Sequence, residues 1–286
     1  MNLDNIISQV KRLPPNPQIM LKLLRLLQDI NTNPNDIVEL IRVDAPLTAQ
    51  VLRLSNSAYY GVVTPSYGLE DAINRVGFRE TYKLVGVVCS GQIFNTPVQT
   101  YYLENDQLWE NSIATALVME NMAQRIGTDA SHAYTIGLLH SIGKVIINQV
   151  IADKYSEVYS LIEKEKMSAM EAEMRVLGFN YAQLGMALLK KWNFPIEIAE
   201  PIEYQFAPMD APTQQLHACA LHLAVCVVGG VGLNYGRDSW AVQVHDEALD
   251  KLGLKEDDIE HFLLQIHERL NDIKQMLSIG IKPKQE

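Results

Sequence analysis

Cysteines, runs of one charge and long apolar stretches are all scarce in this sequence, and each scarcity closes off a class of protein. Cys89, Cys219 and Cys226 are the only three cysteines in 286 residues. An odd count without a C-x-x-C pair offers no disulfide framework, and it fits reduced thiols in a cytoplasmic protein. Cys219 and Cys226 are seven apart, on one face of a helix, and read as core packing. No Lys/Arg run stands out, and 34 acidic against 24 basic residues give a formal net charge of -10. Such a surface repels phosphate backbones, so no nucleic-acid partner is expected. The first residues, Met1 to Asn5, lack a basic stretch leading into an apolar one, so no signal peptide is read. The stretch between Asp210 and Arg237 carries no Asp, Glu, Lys or Arg. Gln214, Gln215, His217 and His222 keep its apolar part below the ~20 residues that a membrane span needs. It reads as a buried helix, and no membrane partner is expected.

What the sequence does hold is helical periodicity and enough apolar residues, 48%, to bury one large domain or two small ones. Ile19, Leu23, Leu26, Leu27 and Ile30 recur at helical spacing behind Asn16 and Pro17. Asn33-Pro34 repeats that start signal, and Asp44 begins a third helix expected to end near Tyr59-Tyr60-Gly61. A loop over 62–68 leads to a short helix, Leu69 to Val76, closed by Gly77, and then to one from Arg79 to Phe94. Asn95-Thr96-Pro97 breaks the pattern and marks the best internal boundary. Beyond it, Leu108 to Ile126 reads as a long helix ending at Gly127, and Asp129 caps another reaching Leu139-His140. Ser168 and Glu171 form a capping-box pattern, and Asn180 caps Tyr181 to Trp192. Pro195 and Pro212 each open a helix, Gly229 to Arg237 is a glycine-rich loop, and Glu256 to Leu277 is a long terminal helix. No run alternates as a strand does, so the fold class is all-α, a multi-helix bundle.

Several stretches carry a resemblance. They are Leu13-Pro14-Pro15-Asn16-Pro17, Ile41-Arg42-Val43-Asp44-Ala45-Pro46-Leu47 and, most strongly, Leu52-Arg53-Leu54-Ser55-Asn56-Ser57-Ala58-Tyr59-Tyr60-Gly61. Leu69-Glu70-Asp71-Ala72-Ile73, Val76-Gly77, Trp109, the stretch from Gly137 through His140-Ser141-Ile142-Gly143-Lys144, and Leu188 to Pro195 follow in order. The sequence resembles the HDOD family, helical signalling domains related to metal-dependent HD phosphohydrolases and found in bacterial signalling proteins, sometimes beside receiver or diguanylate-cyclase modules. One departure is Ala45, which stands between the aspartate and the proline that the family usually places together. The resemblance spans residues 12–230. It implies an N-terminal helical part (1–97), a degenerate HD-like part (98–230) and a C-terminal loop and helical extension (231–286).

Catalytic HD relatives hold metal through histidines and aspartates, because imidazole nitrogens and carboxylates bind a divalent ion that acidifies a bound water. By resemblance those positions fall here at Asn111, His140-Ser141, Tyr181, Gln205-Phe206 and Val225. Only His140 keeps a strong ligand, whereas a catalytic zinc site normally needs three. No catalytic residue, metal or other cofactor is therefore expected, and His140 reads as a core histidine. His132 and His140 are eight apart, about two turns of one helix, and His217 and His222 are five apart, on different helix faces. Cys219 and His222 share a face, but two ligands make no site. Gly229-Gly230-Val231-Gly232 lacks the Lys-Ser/Thr of a phosphate loop.

The implied function is a non-catalytic signalling module that acts on an unidentified signalling protein by docking or helical repacking. It would work as a homo-oligomer or fused to other signalling modules. Two alternatives stand beside it: a metal-dependent phosphohydrolase acting on a nucleotide, and a small-molecule sensor using the vestigial metal cavity. Asn56, Ser57, Tyr59, Tyr60 and Gly61 form the candidate interaction motif, expected near the junction of the two helical parts. The same segment also reads as a plain helix end, where short polar side chains bind free backbone groups.

Overall fold

Local sequence signals start and stop most of the helices. The Asn33 side chain accepts from the amides of Asn35 and Asp36, and the Asp36 carboxylate accepts from the Asn33 amide. This reciprocal box satisfies amides that a helix start would otherwise leave unpaired. Ser168 with Glu171 and Asn180 with Gln183 build the same device. Asp44 caps with a bond from the Leu47 amide, and Asp129 with bonds from Ser131 and His132. At the far end of the helix capped by Ser168, Gly178 adopts a left-handed φ of 83°, which a side chain would disfavour.

A computed structural model describes residues 3–9, 18–57, 60, 66, 68–94, 97–233 and 244–278. Its helices are α1 (Leu3–Gln9), α2 (Gln18–Gln28), α3 (Pro34–Arg42), α4 (Ala45–Ser55), α5 (Leu69–Val76), α6 (Phe78–Phe94), α7 (Gln107–Ile126) and α8 (Ala130–Leu139). They continue as α9 (Ile142–Val150), α10 (Tyr155–Glu165), α11 (Ala169–Leu177), α12 (Tyr181–Lys191), α13 (Ile196–Glu203), α14 (Gln215–Gly230), α15 (Asp246–Leu252) and α16 (Glu256–Ser278). Among the described residues there is no strand, only an isolated bridge between Val98 and Leu103, so the fold is all-α. No single described helix is long and apolar enough to cross a membrane.

The chain divides into two compact units, one of residues 1–13 and 93–264, the other of 14–92 and 265–286. In the first, α7 is buried around nearly its whole circumference from Leu108 to Ala123 and packs against α8 and α14. A second layer brings α12 against α9 and α13, and α10 against α11. Two glycines allow close crossings. A methyl on Gly137 would lie 2.7 Å from the Ala116 Cα, and one on Gly143 would collide with the Tyr181 carbonyl. In the second unit, α3 packs against α2, α4 and α5 through Ile37, Val38 and Ile41.

Three boundaries differ from the sequence expectation. The helix opened by Asp44 stops at Ser55, not near Tyr59-Tyr60-Gly61, because Asn56 takes the C-cap position and leaves the helix to bind the loop. Tyr59 and Gly61 lie outside the described residues, as do Leu13 to Pro17. α14 opens at Gln215, not at Pro212. The Glu200 carboxylate reaches over from α13 and accepts from the amides of Thr213 and Gln214, both at 2.6 Å, and holds that approach outside the helix. Gly229 and Gly230 complete the last turn of α14 instead of opening a loop, behind the buried Val227 and Val228.

Candidate functional site

The junction between α8 and α9 carries the His140-Ser141-Ile142-Gly143-Lys144 stretch. α8 ends at Leu139, His140 is its C-cap and Ser141 is the N-cap of α9, so the chain turns on this pair. Both residues are fully buried. The His140 Nδ1 lies 2.7 Å from the Gly137 carbonyl, which can only accept, so Nδ1 carries the proton. Burial pushes the pKa of this imidazole down to about 3, with the nearby Lys144 charge acting the same way against the Gly137 bond. The ring is therefore neutral at ordinary pH.

Around it the expected ligand positions hold neutral groups. The Ser141 hydroxyl lies 3.1 Å from that of Ser112 on α7. Next to Ser112, the Asn111 amide donates to the Leu233 carbonyl at 3.2 Å, and among the described residues its Oδ1 has no hydrogen-bond partner. Gln205 donates to the carbonyls of Ile202 and His140, at 2.8 and 3.2 Å, and its Oε1 likewise has no partner there. Val225 is buried in α14. The structure thus brings Gln205 onto the His140 carbonyl and Ser141 onto Ser112, two separate hydrogen-bonded pairs at neighbouring residues, with Asn111 next to Ser112 in the chain.

Tyr181 belongs to a neighbouring cluster. Its backbone amide donates to Glu173 at 2.7 Å, and its ring stands edge-on to Phe206 at 5.7 Å. Lys144, only 2% exposed, sits over the rings of Tyr181 and Tyr101 at 4.7 and 5.0 Å. Glu173, on the inner face of α11, accepts from the hydroxyls of Tyr101 at 2.5 Å and Tyr155 at 2.6 Å. Burial raises the Glu173 pKa to about 7, against the pull of these donors and of Lys144. Burial, and then the Glu173 charge, push both tyrosine hydroxyls well above their ordinary value.

Sequence reasoning did not find Ser112, Glu173, Tyr101 or Tyr155. Their partners are distant in the chain, and Glu173 lies in a helix whose other glutamate, Glu171, is an exposed cap. A third group sits on α14. There the sulfur close to His222 is Cys226, 3.9 Å from Nε2, whereas Cys219 faces Met209. The His222 ring stacks on that of His245 at 4.4 Å, and its Nε2 accepts the His245 amide at 3.3 Å. Burial pushes the Cys226 thiol up to about 12, so it is no ready thiolate.

The donor set does not fit the divalent metal of an HD hydrolase. Two amides, a serine hydroxyl, a phenol and a valine offer no anionic charge to offset that of an ion, and a single imidazole falls short of the three protein ligands a catalytic site normally needs. Among the described residues no three of His, Cys, Asp and Glu come together as a metal group.

In the other unit, Asn56 closes the loop that follows α4. Its Nδ2 donates to the Ser66 carbonyl and its Oδ1 accepts the Ser66 amide, both at 2.7 Å. The Tyr60 hydroxyl donates to Glu80 at 3.3 Å, and Ser57 is buried.

The fold is shared with several solved structures. An HDOD domain protein of unknown function from Geobacter sulfurreducens is 24% identical, with a TM-score of 0.74 over 96% of this chain and 95% of that one. A candidate signal transduction protein from Marinobacter aquaeolei VT8 is 23% identical, with a TM-score of 0.77 over 96% of this chain and 64% of its own. A candidate phosphohydrolase from Shewanella amazonensis SB2B is 22% identical, with a TM-score of 0.66 over 92% and 93%. An uncharacterized protein of Treponema pallidum (strain Nichols) is 24% identical over 212 residues, which are 73% of this chain and 40% of that relative. The HDOD domain family model matches residues 13–208, well over half the chain. With its helical fold and its ordered motifs, this chain belongs to the HDOD family.

Proposed function

We propose that this HDOD chain is a non-catalytic signal-transduction module that works by docking to a signalling protein. The observation that carries the reading is the pairing of Ser141 with Ser112 at 3.1 Å in a fully buried setting. Where a hydrolase would set a metal-binding aspartate, this chain seals a helix crossing with two neutral hydroxyls. The neighbouring residues are likewise engaged in packing. Gly143 lets α9 meet the start of α12, and Lys144 is enclosed by tyrosine rings. No group at this crossing is placed to make a hydroxide nucleophile. Function follows the site and not the fold, so likeness to candidate phosphohydrolases does not by itself imply turnover.

Two measurements on the purified chain test this. Elemental analysis should find no stoichiometric Mn, Fe, Zn or Mg, and phosphomonoesters, nucleotides and cyclic dinucleotides should not be hydrolysed above background with Mn or Mg added. About one metal per chain that is lost in His140→Ala, or turnover that tracks the metal and disappears in the same variant, would overturn the reading.

A further inference from the structure

Glu173 and its hydrogen bonds take no part in that reading, and their construction calls for a use. A fully buried carboxylate gathers donors from three other elements: the Tyr101 hydroxyl from the 3-10 turn Gln99–Tyr101, the Tyr155 hydroxyl from α10, and the Tyr181 amide at the start of α12. Lys144 of α9 supplies the facing positive charge from between the Tyr101 and Tyr181 rings. Tyr159 of α10 completes the titratable groups, its ring 5.3 Å from Tyr155 and its hydroxyl donating to the Thr100 carbonyl. The opposite face of α11 is different. There Ser168, Met170, Glu171, Met174 and Arg175 border an open groove of about 900 Å3.

We propose that Glu173 is a proton-operated latch: its carboxyl group takes up and releases a proton in the folded protein, and its ionisation state sets how firmly α11 is seated beneath that groove. The proton comes from solvent and returns to it, and no other bond changes. Burial disfavours the bare carboxylate, whereas three donors and the Lys144 ammonium favour it. The balance falls near neutrality, where a small change in pH changes the state. When α11 lifts, Glu173 regains water and its ordinary acidity. Because the seated helix binds the proton more tightly than the lifted one, deprotonation favours lifting. The proton's contribution is fully present below about 4.5 and is lost as pH rises through about 7.

The test uses the full chain labelled with 13C at the glutamate carboxyls and followed by NMR. One carboxyl signal should titrate near pH 7 in the native protein and be absent from Glu173→Gln. In Tyr155→Phe, which removes one donor and keeps the ring, the midpoint should move upward. Amide exchange, corrected for its chemical pH dependence, should show α11 opening on the order of thirtyfold more often at pH 8 than at pH 5.5. That rise should vanish in Glu173→Gln. If no carboxyl titrates above pH 5.5, or if one does and survives in Glu173→Gln, the proton site is wrong. A titration at Glu173 without any change in α11 opening would remove the latch.

Discussion

A methyl group added at Gly143 would sit 2.8 Å from the Tyr181 carbonyl carbon and closer still to its oxygen, both backbone atoms that no rotamer change can move. Gly143→Ala should therefore destabilise by about 3 kcal/mol or more, beyond the usual range of overpacking. A thermal melt within a degree of the parent would show that α9 and α12 do not cross this closely. At the next position but two, His140 leaves a mark on pH dependence. Its folded pKa is held down at about 3 while the unfolded chain returns to 6.5, so the unfolded state binds the extra proton. Its contribution is present above pH 6.5 and is lost as pH falls toward 3, with about 2 kcal/mol gone by pH 5. Denaturant titrations of the parent and of His140→Gln should show the acid loss shrink in the variant. Parallel profiles would mean that the imidazole is not buried neutral. Glu173 works in the opposite sense between about pH 4.5 and 7, so the two partly cancel in the parent and each is unmasked by substituting the other.

Helix ends separate two kinds of polar residue that look alike on paper. Ser168 caps α11 at its exposed start, and Ser168→Ala should cost about 1 kcal/mol. Asn56 instead holds Ser66 through two bonds across ten residues, and Asn56→Ala should cost about 2 kcal/mol, since both Ser66 groups lose their partner. Chemical denaturation of the two variants side by side checks the order. A larger loss for Ser168→Ala would reverse the roles. If docking runs through this loop, Tyr60→Phe is the gentler probe, because it removes one long 3.3 Å bond and leaves Asn56 intact. The caps at Asn33, Asp44, Asp129, Ser168 and Asn180 were all legible, because a cap is a local transaction between residues two or three apart. α9 left no such sign. Its N-cap Ser141 makes no side-chain cap bond, so no local start signal marks it, and Ile142 to Ile147 are all buried. The Glu200 bonds that delay α14 were equally invisible, since they join residues thirteen and fourteen positions apart.

At the scale of the whole molecule, the ordered motifs made the family and the all-helical class readable. The vestigial ligand positions at Asn111, Ser141 and Val225 rest on the resemblance alone. What fills the space was not readable, because Ser112 meets Ser141 and Glu173 meets Tyr101 only once helices far apart in sequence have packed. The Ser112–Ser141 contact also resists the introduction of charge. Ser141→Asp alone would bury a bare carboxylate against a hydroxyl, and Val225→Asp alone would bury another inside α14, each weakening the fold before any metal had enough partners to bind. Charge at this crossing would therefore have to arrive as a set, several carboxylates together with the ion that offsets them, for the helices to stay closed.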